Sequence, residues 1–115
     1  RHSIITFEGI GAGDDWRFES GGRATAVQVV PRLSVNSADA AIVAATNGLG
    51  ITRTLSYQVA DSVKARQLKL VLQDFLPAAM PVSLVYPARR IASANVTAFL
   101  NTARAHFRTA LPETK

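Results

Sequence analysis

The sequence predicts an α/β fold, and three observations carry that prediction. Stretches with strand-like alternation or β-rich composition are interleaved with stretches of helical period, the order expected when helices layer on a sheet. The stretch from Ser34 to Leu55 compresses this order into one unit: strand, sharp turn, short helix, glycine stop, strand. Apolar residues make up 48% of the 115 residues and charged ones 18%, which suits a packed core and argues against disorder.

Ser3 to Phe7 is short and β-rich. Gly9, Gly11 and Gly13 follow in a turned loop, GIGAGDD, which lacks the spacing of a dinucleotide fingerprint and is followed by no helix. Trp16 to Phe18 reads as a strand with two aromatics on one face. Ser20-Gly21-Gly22-Arg23 turns the chain into a second strand, Thr25 to Val30, and Pro31 ends its hydrogen bonding.

The central helix follows Leu33 and Val35. Asn36 is placed to cap it by accepting from the N–H of Asp39, one of the donors that a helix start leaves unpaired. Ala38, Ala41, Ile42 and Ala45 form its apolar stripe, and their small size lets the helix approach a sheet. Asn47-Gly48 stops it, since glycine adopts the left-handed conformation at low cost. Leu49 and Ile51 lead back into the core as the next strand.

Ser56 is expected to cap a short helix with Val59 and Val63 on one side. Leu68, Leu70 and Leu72 alternate with Lys69 and Val71 as in a strand. Val82 to Tyr86, between Pro81 and Pro87, suits a strand buried on both faces. Ser93 then caps the longest helix, Ala94 to Ala110, with Val96, Phe99, Leu100, Ala103, Phe107 and Ala110 on its apolar face.

Composition narrows the function. There is no cysteine, which removes disulfides and thiolate metal sites and fits a reducing, cytoplasmic setting. No apolar run approaches the roughly 20 residues that span a bilayer, and the start, RHSIITFEGIG, lacks the form of a signal peptide. Net charge is +5, and Arg89, Arg90, Arg104 and Arg108 lie in a span free of acidic residues. That span lacks interleaved aromatics and lysines, so a solvated basic face is the better reading than a nucleic-acid surface. No catalytic constellation is present. His2 is near a terminus, and His106 sits in the last turns of a helix, where it supports the negative helix end. Asp14, Asp15 and Glu19 read as an acidic turn rather than a cation site, and Asn95-Val96-Thr97 matches the glycosylation pattern by chance. No enzyme activity, metal or cofactor is expected.

What remains is a binding site. The helix start at Asn36, Ser37 and Ala38 offers free N–H groups and partial positive charge, which attract anions. Ligands of open α/β sheets gather at the carboxyl ends of strands. Asn36 and Ser37 stand at one such end, and Thr52, Arg53 and Thr54 at another.

The order of these pieces resembles the C-terminal part of the effector-binding domain of LysR-type transcriptional regulators. The matching pieces are Trp16-Arg17-Phe18, Val27 through Ser37, Ala40-Ala41 through Gly48-Leu49-Gly50-Ile51, Leu70 to Asp74, Pro81 to Pro87, and Ala98-Phe99-Leu100. The resemblance implies a periplasmic-binding-protein-like (type 2) fold of two α/β subdomains joined by two crossing strands, with a small, often anionic, metabolite as effector in the cleft between them. Ser3 to Phe7 then matches the first crossing segment. About 8–76 matches a complete second subdomain, and about 77–111 the return strand and helix of the first. Asn36 and Ser37, and the stretch Thr52 to Leu55, match cleft-bordering positions. Leu55 stands where the family commonly has proline. The winged helix-turn-helix through which such a regulator reads DNA is expected to be absent from the chain, as is the first part of the first subdomain; Val82–Tyr86 and the helix face Val96–Phe107 would normally pack on strands of that part, so they are expected to be covered by another copy or a rearranged segment. That makes a homo-oligomer the expectation, with no membrane partner. A fragment of a solute-binding protein shares the fold and is the alternative; a small α/β enzyme is a weaker third.

Overall fold

The computed structural model describes residues 2–9, 15–87 and 93–111, which fall into two units, Arg1–Ala78 and Ala79–Lys115. The first unit is mixed α/β. Its centre is β1 (Ile4–Phe7), flanked in parallel by β4 (Leu33–Val35) on one side and β5 (Ile51–Thr52) on the other. The register pairs Ile5 with Leu33 and with Thr52, and Phe7 with Val35. Helix α1 (Ala38–Thr46) connects β4 to β5 and packs on all three strands. Its Ala41 is fully buried and Ile5 is 1% exposed. Burying an isoleucine side chain stabilises by about 1.5–3 kcal/mol. The alanines of the predicted stripe are what let the helix backbone come this close to the sheet.

Ser37, not Asn36, caps α1. Ser37 is the last extended residue (φ −140, ψ 150), and its Oγ accepts from the N–H of Ala40 at 3.1 Å. Capping belongs to the residue immediately before the first helical one, and the helix begins one residue later than the expected cap required. Asn36 is thereby left exposed at the end of β4. The stop is as expected. Gly48 has φ +77, its N–H donates to the Ala45 carbonyl, and the Leu49 N–H donates to the Ala44 carbonyl, the paired pattern of a Schellman motif. Leu49 belongs to that stop and is 46% exposed, so β5 begins at Ile51 instead.

The hairpin forms, with β2 at Asp15–Ser20 and β3 at Arg23–Gln28. Gly21 and Gly22 both have positive φ, the two-residue turn that matches strand twist. The turn pairs Ser20 with Arg23 and the ladder ends at Asp15–Gln28, so β3 starts two residues earlier than expected and Val29 and Val30 fall outside it. Trp16 is buried at 8% exposure.

Helix α2 (Ser56–Lys64) packs against α1, with Val59 buried and Val63 half-buried. Ser56 is its first helical residue rather than its cap. Leu55 holds the cap position, and its N–H donates to Gln58 Oε1 at 3.1 Å. The helix ends in a second Schellman pattern, with Gln67 N–H to Ser62 carbonyl and Arg66 N–H to Val63 carbonyl, but Arg66 takes the left-handed position (φ 60) in place of glycine.

The strand expected at Leu68–Leu72 does not form. The segment has no ladder partner among the described residues, Leu70, Val71 and Leu72 are each about half exposed, Leu72 takes the left-handed conformation (φ 58), and a short 3-10 helix (Gln73–Phe75) follows. Alternation alone does not make a strand when no edge is aligned to receive it.

In the second unit, the strand expected at Val82–Tyr86 is likewise absent. Val82 and Val85 are 65% and 94% exposed. Helix α3 (Ala94–Ala110) begins after Ser93 as expected, although the Ser93 side chain makes no capping hydrogen bond. Leu100 is buried and Val96 and Ala103 half-buried, while Phe99 and Phe107 remain exposed. Arg89 and Arg90 lie outside the described residues.

Candidate functional site

The carboxyl ends of three parallel strands define one edge of the first unit. β4 ends at Val35 and hands the chain to Asn36 and Ser37. β5 ends at Thr52 and continues as Arg53 and Thr54. Between them β1 ends at Phe7, and the next N–H, that of Glu8, donates to the Val35 carbonyl at 3.0 Å. The two predicted groups of site residues therefore share one end of one sheet and stand on opposite sides of β1.

Two features give this edge chemical character. The first is the start of α1. Ser37 satisfies the Ala40 N–H, and Ala41 N–H donates to the Ser37 carbonyl, which leaves the earlier N–H groups of the first turn without a helical acceptor. Asp39 in that turn complements the dipole and lowers the local positive potential. The second is Thr52. Its Oγ1 is buried without a hydrogen-bond partner among the described residues. An unsatisfied buried hydroxyl costs about 1–3 kcal/mol, and the group can both donate and accept.

Asn36 and Ser37 are exposed, whereas Thr52, Arg53 and Thr54 are half-buried. Sequence reasoning singled out neither Glu8 nor the hydroxyl pair Thr6–Ser34, which joins β1 to β4 at 3.0 Å. Nothing local marks these residues. Their relevance comes from β1 being the middle strand, which only long-range pairing establishes. The acidic turn and glycine loop are described only in part, since residues 10–14 lie outside the described residues. Among the described residues no cluster of three His, Asp or Glu could hold a metal ion. No described helix is long and apolar enough to cross a membrane.

A concavity of about 330 Å³ lies against the hairpin, with Phe18, Val27, Leu72 and Phe75 in its lining. None of the predicted site residues lines it.

The model of the LysR substrate binding domain family matches residues 1–108. Two regulators are similar over most of the chain. The HTH-type transcriptional regulator PgrR of Escherichia coli is 33% identical over 91 residues, covering 79% of this chain and 30% of that protein. An HTH-type transcriptional repressor of Pseudomonas aeruginosa is 35% identical over 86 residues, covering 75% of this chain and 27% of that protein. The chain thus spans about three-tenths of the length of these relatives. A match across 1–108 takes in both the sheet edge and α3, and the chain belongs to the LysR substrate-binding domain family of the LysR-type transcriptional regulators.

Proposed function

We propose that the carboxyl edge of the β4–β1–β5 sheet is one wall of an effector site, and that the chain senses a small molecule on behalf of a DNA-binding winged helix-turn-helix in the whole regulator. Asn36 and Ser37 form one side of the wall, and Thr52, Arg53 and Thr54 the other. The observation that carries this reading is the buried, unpartnered Oγ1 of Thr52 at the same sheet edge as the start of α1. Both offer hydrogen-bonding capacity that the described residues leave unused. The fold is read as periplasmic-binding-protein-like, with residues about 8–76 as the second subdomain and about 77–111 as the return segment of the first. The regulator works in the cytoplasm, without catalysis.

The exposed Val82, Val85 and Phe99 support association with a second copy, since large apolar side chains left in water are a standing cost. A solute-binding protein is disfavoured because the relatives are regulators by name.

A thermal-shift screen of small metabolites on the chain and on its Ser37→Ala variant tests the site. Ligand stabilisation follows RT ln(1 + [L]/Kd), so the ligand-dependent increment is compared, not the absolute Tm. A smaller increment in the variant is expected. Equal increments for every stabilising ligand would place the site elsewhere.

A further inference from the structure

The chain holds four asparagines, and only Asn47 precedes a glycine. Ser37, Val96 and Thr102 follow the other three, and their side chains crowd the amide nitrogen that each asparagine would have to reach. Gly48 has no side chain to interfere. An Asn-Gly pair is therefore chemically set to close a five-membered ring on itself. The Gly48 nitrogen attacks Asn47 Cγ and gives its proton to solvent. The Cγ–Nδ2 bond breaks and ammonia leaves. Water then opens the succinimide at either carbonyl, leaving aspartate or isoaspartate. One water is consumed, one ammonia is released, and nothing is oxidised or reduced.

The stop of α1 holds both reacting groups out of this reaction. Asn47 Nδ2 donates to the Val43 carbonyl at 2.8 Å, and the Asn47 N–H donates to the same oxygen at 3.1 Å. The Gly48 N–H is engaged by the Ala45 carbonyl at 2.9 Å. Asn47 has ψ 10, which turns the Gly48 nitrogen away from the Cβ side of the residue. Ring closure needs a large rotation about that bond, and the rotation breaks the Gly48 and Leu49 hydrogen bonds of the Schellman stop. The guard is local, however. Asn47, Gly48 and Leu49 are exposed, and the last turn of a helix opens at far lower cost than a whole domain.

We propose that Asn47 is a site of spontaneous deamidation, and that the folded stop of α1 is the gate that sets its rate. Conversion removes the Nδ2 donor and sets a carboxylate beside the Val43 carbonyl, at the negative end of the helix. Isoaspartate also adds a methylene to the main chain just ahead of Gly50 and Ile51, where the chain closes on Ser3. Modification at the end of α1 thus reaches β5.

The full chain is incubated at mildly alkaline pH in native buffer, in urea below the unfolding transition, and in denaturing guanidinium chloride. Tryptic digestion releases the peptide 33–53, which carries both Asn36 and Asn47, and its fragment masses show which one has converted. In denaturant Asn47 is expected to convert ahead of Asn36. In native buffer its conversion slows at least about tenfold. Urea below the transition changes the native rate little, because opening one turn exposes little surface. Val43→Gly, which weakens the last turn and keeps its carbonyl, raises the native rate about twofold. Asn47→Asp, which stands for one product, lowers Tm by about 2–8 °C.

Conversion of Asn36 ahead of Asn47 in denaturant would overturn the assignment of the site. Equal rates at Asn47 in native buffer and in denaturant would overturn the gate. A native rate that climbs steeply with urea would also overturn it, because global unfolding would then be the controlling step. An unchanged Tm in Asn47→Asp would mean that the Nδ2 bond to Val43 holds nothing, and would remove the side chain from the gate.

Discussion

Gly50 lies directly against the main chain of Ser3, with no room between them for a Cβ. The carbonyl of the same Ser3 accepts the N–H of Ile51 at 2.9 Å. The close approach is what starts β5 beside β1, and β5 in turn sets the position of Thr52, Arg53 and Thr54. Gly50→Ala puts a methyl group into backbone that cannot swing aside. We expect a loss of about 1–3 kcal/mol, read in urea unfolding, together with loss of amide protection at Ile51. Full stability in the variant would mean that the two segments are not held this tightly.

Ser37→Ala removes the acceptor of the Ala40 N–H. The expected destabilisation is about 1 kcal/mol. Asn36→Ala, by contrast, should leave stability within about 0.5 kcal/mol, as for an exposed side chain away from special features. The reverse order of the two effects would return the cap to Asn36.

Arg66 occupies the left-handed position at the end of α2 with an exposed side chain. A non-glycine residue there costs roughly 1–2 kcal/mol, offset in part by the entropy that glycine adds to the unfolded chain. Arg66→Gly should therefore raise stability, by about 0.5–1 kcal/mol, and chemical denaturation measures it. Gly48 is the mirror case. Gly48→Ala at φ +77 should cost a similar amount, with open space around the new methyl group.

Ile5→Ala empties the site under α1. Ile5 is 1% exposed and sits on the middle strand, so the loss should be about 2–5 kcal/mol. A value near zero would mean that α1 does not pack on this sheet.

The exposed valines of the second unit bear on assembly. If Val82 and Val85 meet a second copy, light scattering will show mass rising with concentration, and Val85→Glu will suppress the rise. A concentration-independent monomer would remove the association.

Much of the first unit was legible in the sequence because its signals are local. Gly48 stops α1 through its own backbone freedom, the Gly21-Gly22 pair turns the hairpin, and the alanines of α1 declare a close helix–sheet contact. The cap was misplaced by one residue because Asn36 and Ser37 are both good caps, and only the backbone decides which precedes the first turn. Leu68–Leu72 and Val82–Tyr86 carry strand patterns without forming strands. A strand requires an aligned neighbour as well as a pattern, and no ladder among the described residues reaches either segment. The candidate site was half legible. Asn36, Ser37, Thr52, Arg53 and Thr54 could be named from their places beside a helix start and a glycine turn. That they share one edge across β1 follows from pairing between segments far apart in the chain.

Backbone amide chemical shifts test the central claim most directly. The chain is titrated with the compound that raises its Tm most. The account predicts the largest changes at Asn36, Ser37 and Ala38 and at Thr52, Arg53 and Thr54, on both sides of β1. Changes confined to Phe18, Val27 and Phe75, with the sheet edge silent, would contradict it and move the ligand to the hairpin groove.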